Sequence, residues 1–403
     1  MAIYPIGRPD DIDRFDAIVV GGRVAGASTA MLLARRGLRV VVVDRAAEGS
    51  DTLSTHALMR PGVVQLHRWG LLDEVVATGA PPVRRTVIHY GDEAVAVNIK
   101  PRSGIDAFYA PRRTVLDAVV VRAARQAGVQ FLFGTTVTEL RRHATGRVVG
   151  VHGRDPSGNS LRLDAPITIG ADGVRSLVAR GVQATAYWQG VGSSAVVYAY
   201  FAGLDAEGYE WAYRPGASSA LIPTNGGEVN VSIIVPSVRF TEEVRPDVEA
   251  GFWNVLREAN GTIAERVAQA QRTTRFRSFP GLAAYHRQAW GPGWALVGDA
   301  GAFLDPIGAH GISSALRDAE LLARGVAEIH HGTAPEWQAL GSYQRARDDL
   351  AQHLFEATDA VATYGWDLDT LRNRLMQMSA EMTKEAEALE HLDHQPLAAT
   401  DAA

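Results

Sequence analysis

The sequence contains no cysteine among its 403 residues. This absence excludes disulfide bonds, thiolate metal ligands, covalent attachment of a flavin to a cysteine and thiol redox chemistry. Any redox reaction must therefore use a bound cofactor, and the sequence indicates no metal site. Lysine is nearly absent as well, since it occurs only at Lys100 and Lys384 and arginine carries the remaining positive charge.

Long hydrophobic runs and an excess of positive charge are also missing. Glycines and charged residues interrupt every apolar stretch before it reaches the ~18 residues of a membrane helix, so we expect no membrane span. The formal net charge of -5 gives no reason to expect a nucleic acid as a partner. Residues 1–15 lack the basic and apolar regions of a secretory signal, which predicts a cytoplasmic protein.

Residues 15–44, FDAIVVGGRVAGASTAMLLARRGLRVVVVD, form the most informative stretch. A short apolar strand ends at two glycines, a helical pattern of Ala, Met and Leu follows, and a second apolar strand ends in an acid. This order is typical of a dinucleotide-binding βαβ unit. A pyrophosphate binds to the N–H groups and the positive dipole end of such a helix, and the acid, here Asp44, hydrogen-bonds ribose hydroxyls.

One position departs from the usual glycine spacing of this unit. Gly21 and Gly26 match it, but the middle glycine is replaced by Arg23. We hypothesise that Gly22 supplies the missing flexibility and that Arg23 lies beside the pyrophosphate as its charge partner. The structural alternative is a strand–turn–helix corner that binds nothing.

The remaining chain alternates strand and helix patterns. These patterns predict a hairpin over 83–99, a helix over 111–127, a strand over 129–133, a β meander over 135–163 and a buried strand over 167–170. Residues 182–284 indicate the strands and one helix of a separate sheet, which we expect to bind substrate. A further strand over 294–297 precedes a glycine-rich turn, and residues 336–392 are largely helical.

Two more glycine motifs follow predicted strands: GADGVRS at 170–176 and GDAGAFLDPIGAHG at 298–311. Together with GGRVAGA at 21–27, and in this order, they resemble the motifs of the class A flavoprotein monooxygenases of the para-hydroxybenzoate hydroxylase fold. The geranylgeranyl-reductase and flavin-halogenase branches are related to that family. The resemblance covers most of residues 15–335 and is weak over 182–284.

The resemblance implies an α/β fold with three parts. A Rossmann-like FAD-binding domain of the GR2 type carries an inserted mixed β-sheet substrate domain and a helical C-terminus. The implied ranges are 15–80, 108–181 and 285–335 for the discontinuous FAD-binding domain, 81–107 and 182–284 for the substrate domain, and 336–395 for the C-terminal helices.

The resemblance also implies which residues bind FAD. They are Gly21, Gly22, Arg23, Ala25, Gly26, Asp44, Arg45, Arg113, Asp172, Gly298, Asp299, Pro306, Gly308, Gly311 and Ile312. In the family, an arginine matching Arg113, or as second choice Arg112, reaches the pyrophosphate region. The acid of the DG motif, Asp172, is linked to FAD and NAD(P)H use, and Asp299 bonds the ribityl chain. The backbone of 308–312 lines the isoalloxazine. A helix-end charge, a turn residue and an N-cap are the structural alternatives for the three side chains.

The implied activity is that of an FAD-dependent monooxygenase. NAD(P)H reduces FAD, O2 then forms a flavin C4a-hydroperoxide, and this species hydroxylates or epoxidises a small aromatic or polyketide-like substrate. We expect a monomer or a homodimer. One alternative is an FAD-dependent reductase of the geranylgeranyl-reductase type, although the loop of that branch typically contains a cysteine. A halogenase is disfavoured because the WxWxIP stretch of that branch is absent and Lys100 does not match its active-site lysine.

Five residues are candidates for the chemistry itself or for contact with the flavin ring. His310 lies in the third glycine motif, where it could bond substrate or protonate an intermediate, and His56 lies in a polar loop after the second strand, where α/β sheets place ligands. Tyr213 and Arg214, with Tyr198, come from the predicted substrate sheet and could face the flavin ring. A backbone-bonded turn histidine, a solvent-facing or capping loop histidine and core aromatics are the structural alternatives.

Overall fold

The computed structural model describes residues 15–392. In chain order its strands are β1 (Ala17–Val20), β2 (Val40–Asp44), β3 (Arg85–Tyr90), β4 (Glu93–Asn98), β5 (Gln130–Phe133), β6 (Thr136–Arg142), β7 (Val148–Arg154), β8 (Ser160–Asp164), β9 (Ile167–Gly170), β10 (Ala186–Gln189), β11 (Ser194–Ala202), β12 (Tyr209–Arg214), β13 (Ala217–Pro223), β14 (Glu228–Pro236), β15 (Gln271–Arg272), β16 (Arg277–Phe279), β17 (Tyr285–Arg287), β18 (Trp290–Gly291), β19 (Trp294–Leu296) and β20 (Ala302–Phe303).

The α-helices are α1 (Val24–Ala34), α2 (Arg60–Arg68), α3 (Leu72–Ala77), α4 (Arg113–Gln126), α5 (Leu177–Gly181), α6 (Ser237–Arg239), α7 (Val248–Ala259), α8 (Gly261–Ala268), α9 (Gly311–His330), α10 (Glu336–Ala362) and α11 (Leu368–His391). Short 3-10 turns cover Asn225–Gly227, Gly298–Ala300 and Pro306–Gly308, and a π-helical turn covers Phe240–Val244. No helix in the described range is long and apolar enough to cross a membrane.

A six-stranded sheet in the order β18-β19-β9-β1-β2-β5 brings the three glycine motifs to one edge. All of its strands are parallel except β18, and the buried Val and Ile side chains of β1 and β2 suit central parallel strands. In register, Gly170 lies opposite both Val20 and Leu296. The turns that follow β1, β9 and β19 therefore lie side by side at the carboxyl ends of adjacent strands, where open α/β sheets bind ligands.

An eight-stranded sheet in the order β15-β11-β14-β13-β12-β3-β4, with β16 also paired to β11, forms the second large layer. Alternating side chains give it two buried faces. One face packs on α7 and α8. The other, which we call the inner face, packs with the third glycine turn and the C-terminal helices and includes Tyr198, Tyr200, Trp211 and Tyr213.

The predicted fold class is confirmed, with local differences. The hairpin β3–β4, the meander β6–β8 and the strands of the separate sheet form as expected, but β12 and α8 were not predicted as separate elements. Strand β10 pairs with β17 in a small third sheet rather than with the eight-stranded sheet. The C-terminal region consists of two helices, and residues 393–395 of its predicted range lie outside the described residues. The division into three domains stays a proposal.

Candidate functional site

The three glycine turns are in direct contact with one another. A Cβ atom on Gly21 would lie 2.4 Å from the carbonyl oxygen of Ala171, in the second motif, and the φ of Gly21 is +105°. A Cβ on Gly26 would lie 1.8 Å from the oxygen of Gly21, and one on Gly298 would lie 3.0 Å from the Cβ of Ala25. Larger residues at these positions would push the turns apart, so the glycines allow three distant segments to form one site.

The first turn presents the unsatisfied end of α1. This helix has no side-chain N-cap and no acid in its first turn, so its leading N–H groups can bind an anion. Asp44 holds the turn, because its Oδ2 accepts from the N–H of Gly22 at 2.6 Å and its Oδ1 from that of Ala46 at 2.7 Å. The left-handed residue of the turn is Gly21, and the hypothesis that Gly22 supplies the missing flexibility stays a prediction.

Arg23, expected as a charge partner of the pyrophosphate, has protein partners in this structure. Its Nη1 donates to the Ser50 carbonyl at 2.9 Å and to Asp117 Oδ2 at 3.3 Å, and its Nη2 donates to Ser50 Oγ at 3.2 Å and to the Asp51 carbonyl at 3.3 Å. The guanidinium group therefore ties the loop after β2 to α4. Arg45, next to Asp44, is exposed.

Arg113 and Asp117 form a buried ion pair beside the site. The Nε of Arg113 donates to Asp117 Oδ1 at 3.0 Å, over one turn of α4. The positive charge of Arg113 also acts on two other groups. It opposes the rise in the pKa of Asp299 that burial causes, and it adds to the lowering of the pKa of His56 by burial. Arg113 is thus placed near the third motif and the loop after β2 at once.

The acid of the DG motif acts as a cap in this structure. Asp172 accepts from the N–H of Leu177 at 2.6 Å and from the hydroxyl of Ser176, at the start of α5. Burial raises the pKa of Asp172, and these hydrogen bonds oppose the rise. Asp172 therefore positions the loop that contacts Gly21, and its link to FAD stays a prediction.

Asp299 differs from the other acids of the site because its half-buried side chain has no hydrogen bond or ion pair to any residue in the described range 15–392. Burial raises its pKa to about 6, although the nearby positive charge of Arg113 lowers it. Its backbone oxygen accepts from the Tyr285 hydroxyl at 2.6 Å, which fixes the turn. A polar ligand with hydroxyl groups would supply the partner that this carboxylate lacks.

The third turn ends at the N-terminus of α9. Pro306–Gly308 form a 3-10 turn held by Asp305, whose Oδ1 accepts from Ile307 N at 3.0 Å and whose Oδ2 accepts from Ser194 N at 2.7 Å. The helix begins at Gly311 without a side-chain cap, so the N–H groups of Gly311 and Ile312 lack intrahelical acceptors. Asp305 also joins this turn to the inner face through Ser194.

His310 is bonded to the C-terminal helix rather than to the backbone. Its Nε2 donates to Glu385 Oε2 at 2.7 Å, while Arg317 Nη1 lies 3.3 Å from Glu385 Oε1, and these side chains are 0–1% exposed. Burial acts to raise the pKa of Glu385, but His310 and Arg317 outweigh it and hold the pKa below its ordinary value. His310 Nδ1 is buried without a hydrogen bond.

His56 is buried, with a φ of +67°, and shares a short hydrogen bond with the Tyr200 hydroxyl. Burial and the charges of Arg113 and Arg112 hold the pKa of His56 well below its ordinary value, and burial raises that of Tyr200. Both shifts favour a neutral pair in which the Tyr200 hydroxyl donates to His56 Nε2. The Arg112 guanidinium lies 3.9 Å from the centre of the Tyr200 ring.

Tyr213 and Arg214 do not lie together, which corrects the expectation that both could face the ring. Tyr213 is buried on the inner face, whereas Arg214 points to the other side and forms an ion pair with the exposed Asp92. Adjacent residues of a strand alternate in direction. The sequence analysis missed Tyr364, between α10 and α11, which has a φ of +56° and whose hydroxyl lies near Ser194 and Ser218.

The sequence matches the FAD binding domain family over residues 14–358. The chain belongs to this family. Its relatives include the tryptophan 2-halogenase of Chondromyces crocatus, 22% identical over 375 residues that cover 88% of this chain and 70% of that protein. The menaquinone reductase of Mycolicibacterium smegmatis is 27% identical over 326 residues, 77% of this chain and 76% of the reductase. The aklavinone 12-hydroxylase DnrF of Streptomyces peucetius is 26% identical over 374 residues, 86% and 74% of the two chains.

A solved structure shows the same fold. The crystal structure of PqsL, a probable FAD-dependent monooxygenase from Pseudomonas aeruginosa, superimposes with a TM-score of 0.76 at 22% identity and covers 90% of this chain and 100% of PqsL. With the family match, this confirms the resemblance to FAD-dependent monooxygenases. The family member described here is therefore an FAD-dependent oxidoreductase.

The residues present fit FAD. The uncapped N-terminus of α1 offers N–H groups for a pyrophosphate, the partnerless carboxylate of Asp299 suits hydroxyl groups, and the uncapped start of α9 offers N–H groups to an electron-rich ring edge. Glycine at positions 21, 26 and 298 lets the three segments approach closely enough to share one ligand. The assignment of individual residues to parts of FAD stays a proposal.

Proposed function

We propose that this protein is an FAD-dependent monooxygenase that uses NAD(P)H and O2 to hydroxylate or epoxidise a small aromatic or polyketide-like substrate. When bound, FAD supplies the two-electron redox chemistry and the reaction with O2. A cytoplasmic location and a monomeric or homodimeric state belong to the same proposal. The similarity to DnrF, named as an aklavinone hydroxylase, supports this reaction type.

One observation carries the proposal: an aromatic inner face is attached directly to the third glycine turn. Asp305 Oδ2 accepts from Ser194 N at 2.7 Å, so β11 lies against the turn that precedes α9. The inner face behind this contact contains Tyr198, Trp211 and Tyr213, all at most 8% exposed. Oxygen transfer needs a site from which water is excluded, and such a face can provide it.

The chain's own residues would then have separate tasks. Gly21, Gly26 and the first turn of α1 hold the pyrophosphate, and Asp44 binds the adenosine ribose. Asp299 accepts hydrogen bonds from ribityl hydroxyls, and the N–H groups of 311–312 stabilise negative charge on the ring. These groups would hold FAD at the edge of the six-stranded sheet, and we expect the substrate to bind on the side of the eight-stranded sheet.

A reductase is the second candidate because the menaquinone reductase matches at 27% identity over three quarters of both chains. A halogenase remains the third, despite the match to the tryptophan 2-halogenase. Both lysines of the chain, Lys100 and Lys384, are exposed, so neither can act as a buried active-site lysine of the kind that the halogenase branch carries.

Turnover by the FAD-loaded protein distinguishes the three reactions. NADH or NADPH oxidation is followed with a panel of phenols and hydroxyanthraquinones under 18O-labelled O2, and products are analysed by mass spectrometry. We expect one labelled oxygen atom in the product. Product formation without O2 would support the reductase, and halogenated product formed only with bromide or chloride would support the halogenase. Either result would overturn the proposal.

A further inference from the structure

Four buried side chains form a charged cluster beside the third glycine turn. Glu385 of α11 lies 2.7 Å from His310 Nε2 and 3.3 Å from Arg317 Nη1, and Arg317 Nη2 lies 2.8 Å from Asp318 Oδ1. All four side chains are at most 1% exposed. Such a cluster contributes little net stability, because the cost of removing its charges from water can exceed their mutual attraction. Its position beside the turn therefore points to a role beyond holding α11 in place.

The charges of this cluster balance only when His310 is protonated. Glu385 and Asp318 contribute two negative charges, and Arg317 contributes one positive charge. An imidazolium at His310 supplies the second positive charge and donates its Nε2 proton to Glu385. A neutral His310 would leave an unbalanced negative charge in a place that water does not reach, which is costly.

The charged groups on the neighbouring elements do not supply the missing positive charge. On α10, Arg347 pairs with Asp348 at 2.8 Å. On α4, Arg113 pairs with Asp117 at 3.0 Å. Asp299, in the third motif, adds a negative charge that is close enough to Asp318 for the two carboxylates to repel each other.

His310 stands at the N-terminus of α9, next to the N–H groups that we assign to the flavin ring. Its carbonyl oxygen accepts from Ser314 N at 2.9 Å, so it is the residue that precedes the helix, and Gly311 and Ile312 follow it. Its Nδ1 is buried and has no hydrogen bond within the part of the chain that the structure describes. The imidazole is thus fixed at the helix end where a negative charge is favoured.

Helix α11 brings Glu385 to this turn from the C-terminal part of the chain. A Cβ atom on Gly308 would lie 3.4 Å from the Cε of Met378, so α11 packs against the turn itself. Glu385 follows Met378 by seven residues, which is about two helical turns and places both side chains on one face of α11. The positive member of the pair, His310, therefore belongs to the turn, and the negative member belongs to the helix packed on it.

We propose that Glu385 is a positioning residue for the flavin: it keeps His310 protonated at the start of α9, where the imidazolium stabilises negative charge on the flavin ring. Transfer of a hydride to oxidised FAD adds one negative charge, which the N–H groups at this helix end also favour. A fixed positive charge beside them raises the reduction potential. The inference rests on the proposed placement of the ring at residues 308–312 and applies equally to a monooxygenase, a reductase and a halogenase.

The midpoint potential of bound FAD tests this inference without substrate or O2. It is measured anaerobically at pH 7.5 against a reference dye, while xanthine and xanthine oxidase slowly reduce both. We expect His310→Gln to weaken the binding of reduced FAD relative to oxidised FAD at least about tenfold, which lowers the potential by about 30 mV. We expect Glu385→Gln to weaken it at least about threefold, which lowers the potential by about 15 mV.

The sign of the Glu385→Gln effect separates positioning from simple loss of a charge. Removal of a carboxylate near the ring would by itself favour reduced FAD and raise the potential. We expect a fall instead, because His310 loses its proton together with its partner. In the His310→Gln background, the same substitution should raise the potential. An unchanged or raised potential in Glu385→Gln alone, or an equal fall in both backgrounds, overturns the inference.

Glu381→Gln is the matched control on α11. It removes a carboxylate that pairs with the exposed Lys384, one helical turn before Glu385. We expect it to change the relative affinity for reduced and oxidised FAD by less than about 1.5-fold, because an exposed pair is screened by solvent. A fall as large as that in Glu385→Gln would overturn the assignment of the effect to His310.

The protonation state of His310 can be measured even if Glu385→Gln does not fold. The FAD-loaded protein is labelled with 15N-histidine, and the His310 signals are identified by their loss in His310→Gln. We expect both ring nitrogens to carry protons at pH 7.5, and a neutral ring overturns the inference. Neither this spectrum nor the potential needs oxygen transfer. A failure here therefore leaves the monooxygenase intact, and a reductase result in the turnover experiment leaves this inference intact.

Discussion

Replacing Asp299 by asparagine should stabilise the protein without FAD and weaken its affinity for FAD. Burial raises the pKa of this carboxyl from the ordinary value of 3.8 to about 6, and no residue in the described range bonds to it. Holding the ionised carboxylate above pH 6 therefore costs the folded state up to about 3 kcal/mol. Because the residue keeps partial contact with solvent, the true cost is smaller. We expect Asp299→Asn to raise the free energy of unfolding by about half of that figure, roughly 1–2 kcal/mol.

The sign of the pH dependence follows from the raised pKa. Stability that depends on a protonated Asp299 is present at low pH and is lost as the pH rises from 3.8 through about 6. Urea unfolding of the apoprotein should therefore show a gain for Asp299→Asn at pH 8 that falls to about half at pH 5 and disappears towards pH 3.8. FAD affinity should fall about tenfold, because the amide replaces a charged acceptor of ribityl hydrogen bonds. A gain that is equal at both pH values, or an unchanged FAD affinity, would refute this reasoning.

Three further substitutions test other contacts. Gly26→Ala should abolish FAD binding, because its Cβ would lie 1.8 Å from a backbone oxygen, whereas Gly261→Ala, at the exposed start of α8 with open space around it, should retain binding in the same titration. Glu385→Gln should lower the free energy of unfolding in urea by about 3–5 kcal/mol, since it removes the negative charge that His310 meets in a buried cluster. The control Glu381→Gln, which changes an ion pair with the exposed Lys384, should lower it by less than about 1 kcal/mol. Arg214→Ala should leave kcat and KM within about twofold, because this side chain pairs with the exposed Asp92 on the surface. A large loss would return this residue to the site.

Local sequence patterns were sufficient to predict the FAD-binding part. Each glycine motif follows a strand, and the parallel register then brings the three turns to adjacent strand ends, as Gly170 between Val20 and Leu296 shows. The position of Arg214 was also predictable, because it follows Tyr213 on one strand and adjacent side chains point to opposite faces. The expectation overlooked that alternation.

The partners of the two site histidines could not be predicted in this way. His56 bonds Tyr200 across 144 residues, and His310 bonds Glu385 across 75 residues. No periodicity within a segment specifies which residue of another segment arrives beside it, because that depends on how the sheets and the C-terminal helices pack. For the same reason, the position of Tyr364 beside Ser194 and Ser218 became visible only in the folded chain.

Titration of the purified apoprotein with FAD tests most directly the claim that three distant turns form one cofactor site. Isothermal calorimetry and visible flavin absorbance of the gel-filtered complex give the stoichiometry. We predict one FAD per chain. Binding should be lost in Gly26→Ala and weakened in Asp299→Asn, although the two residues belong to different glycine motifs. A protein that stays colourless after reconstitution and releases no binding heat would contradict the account.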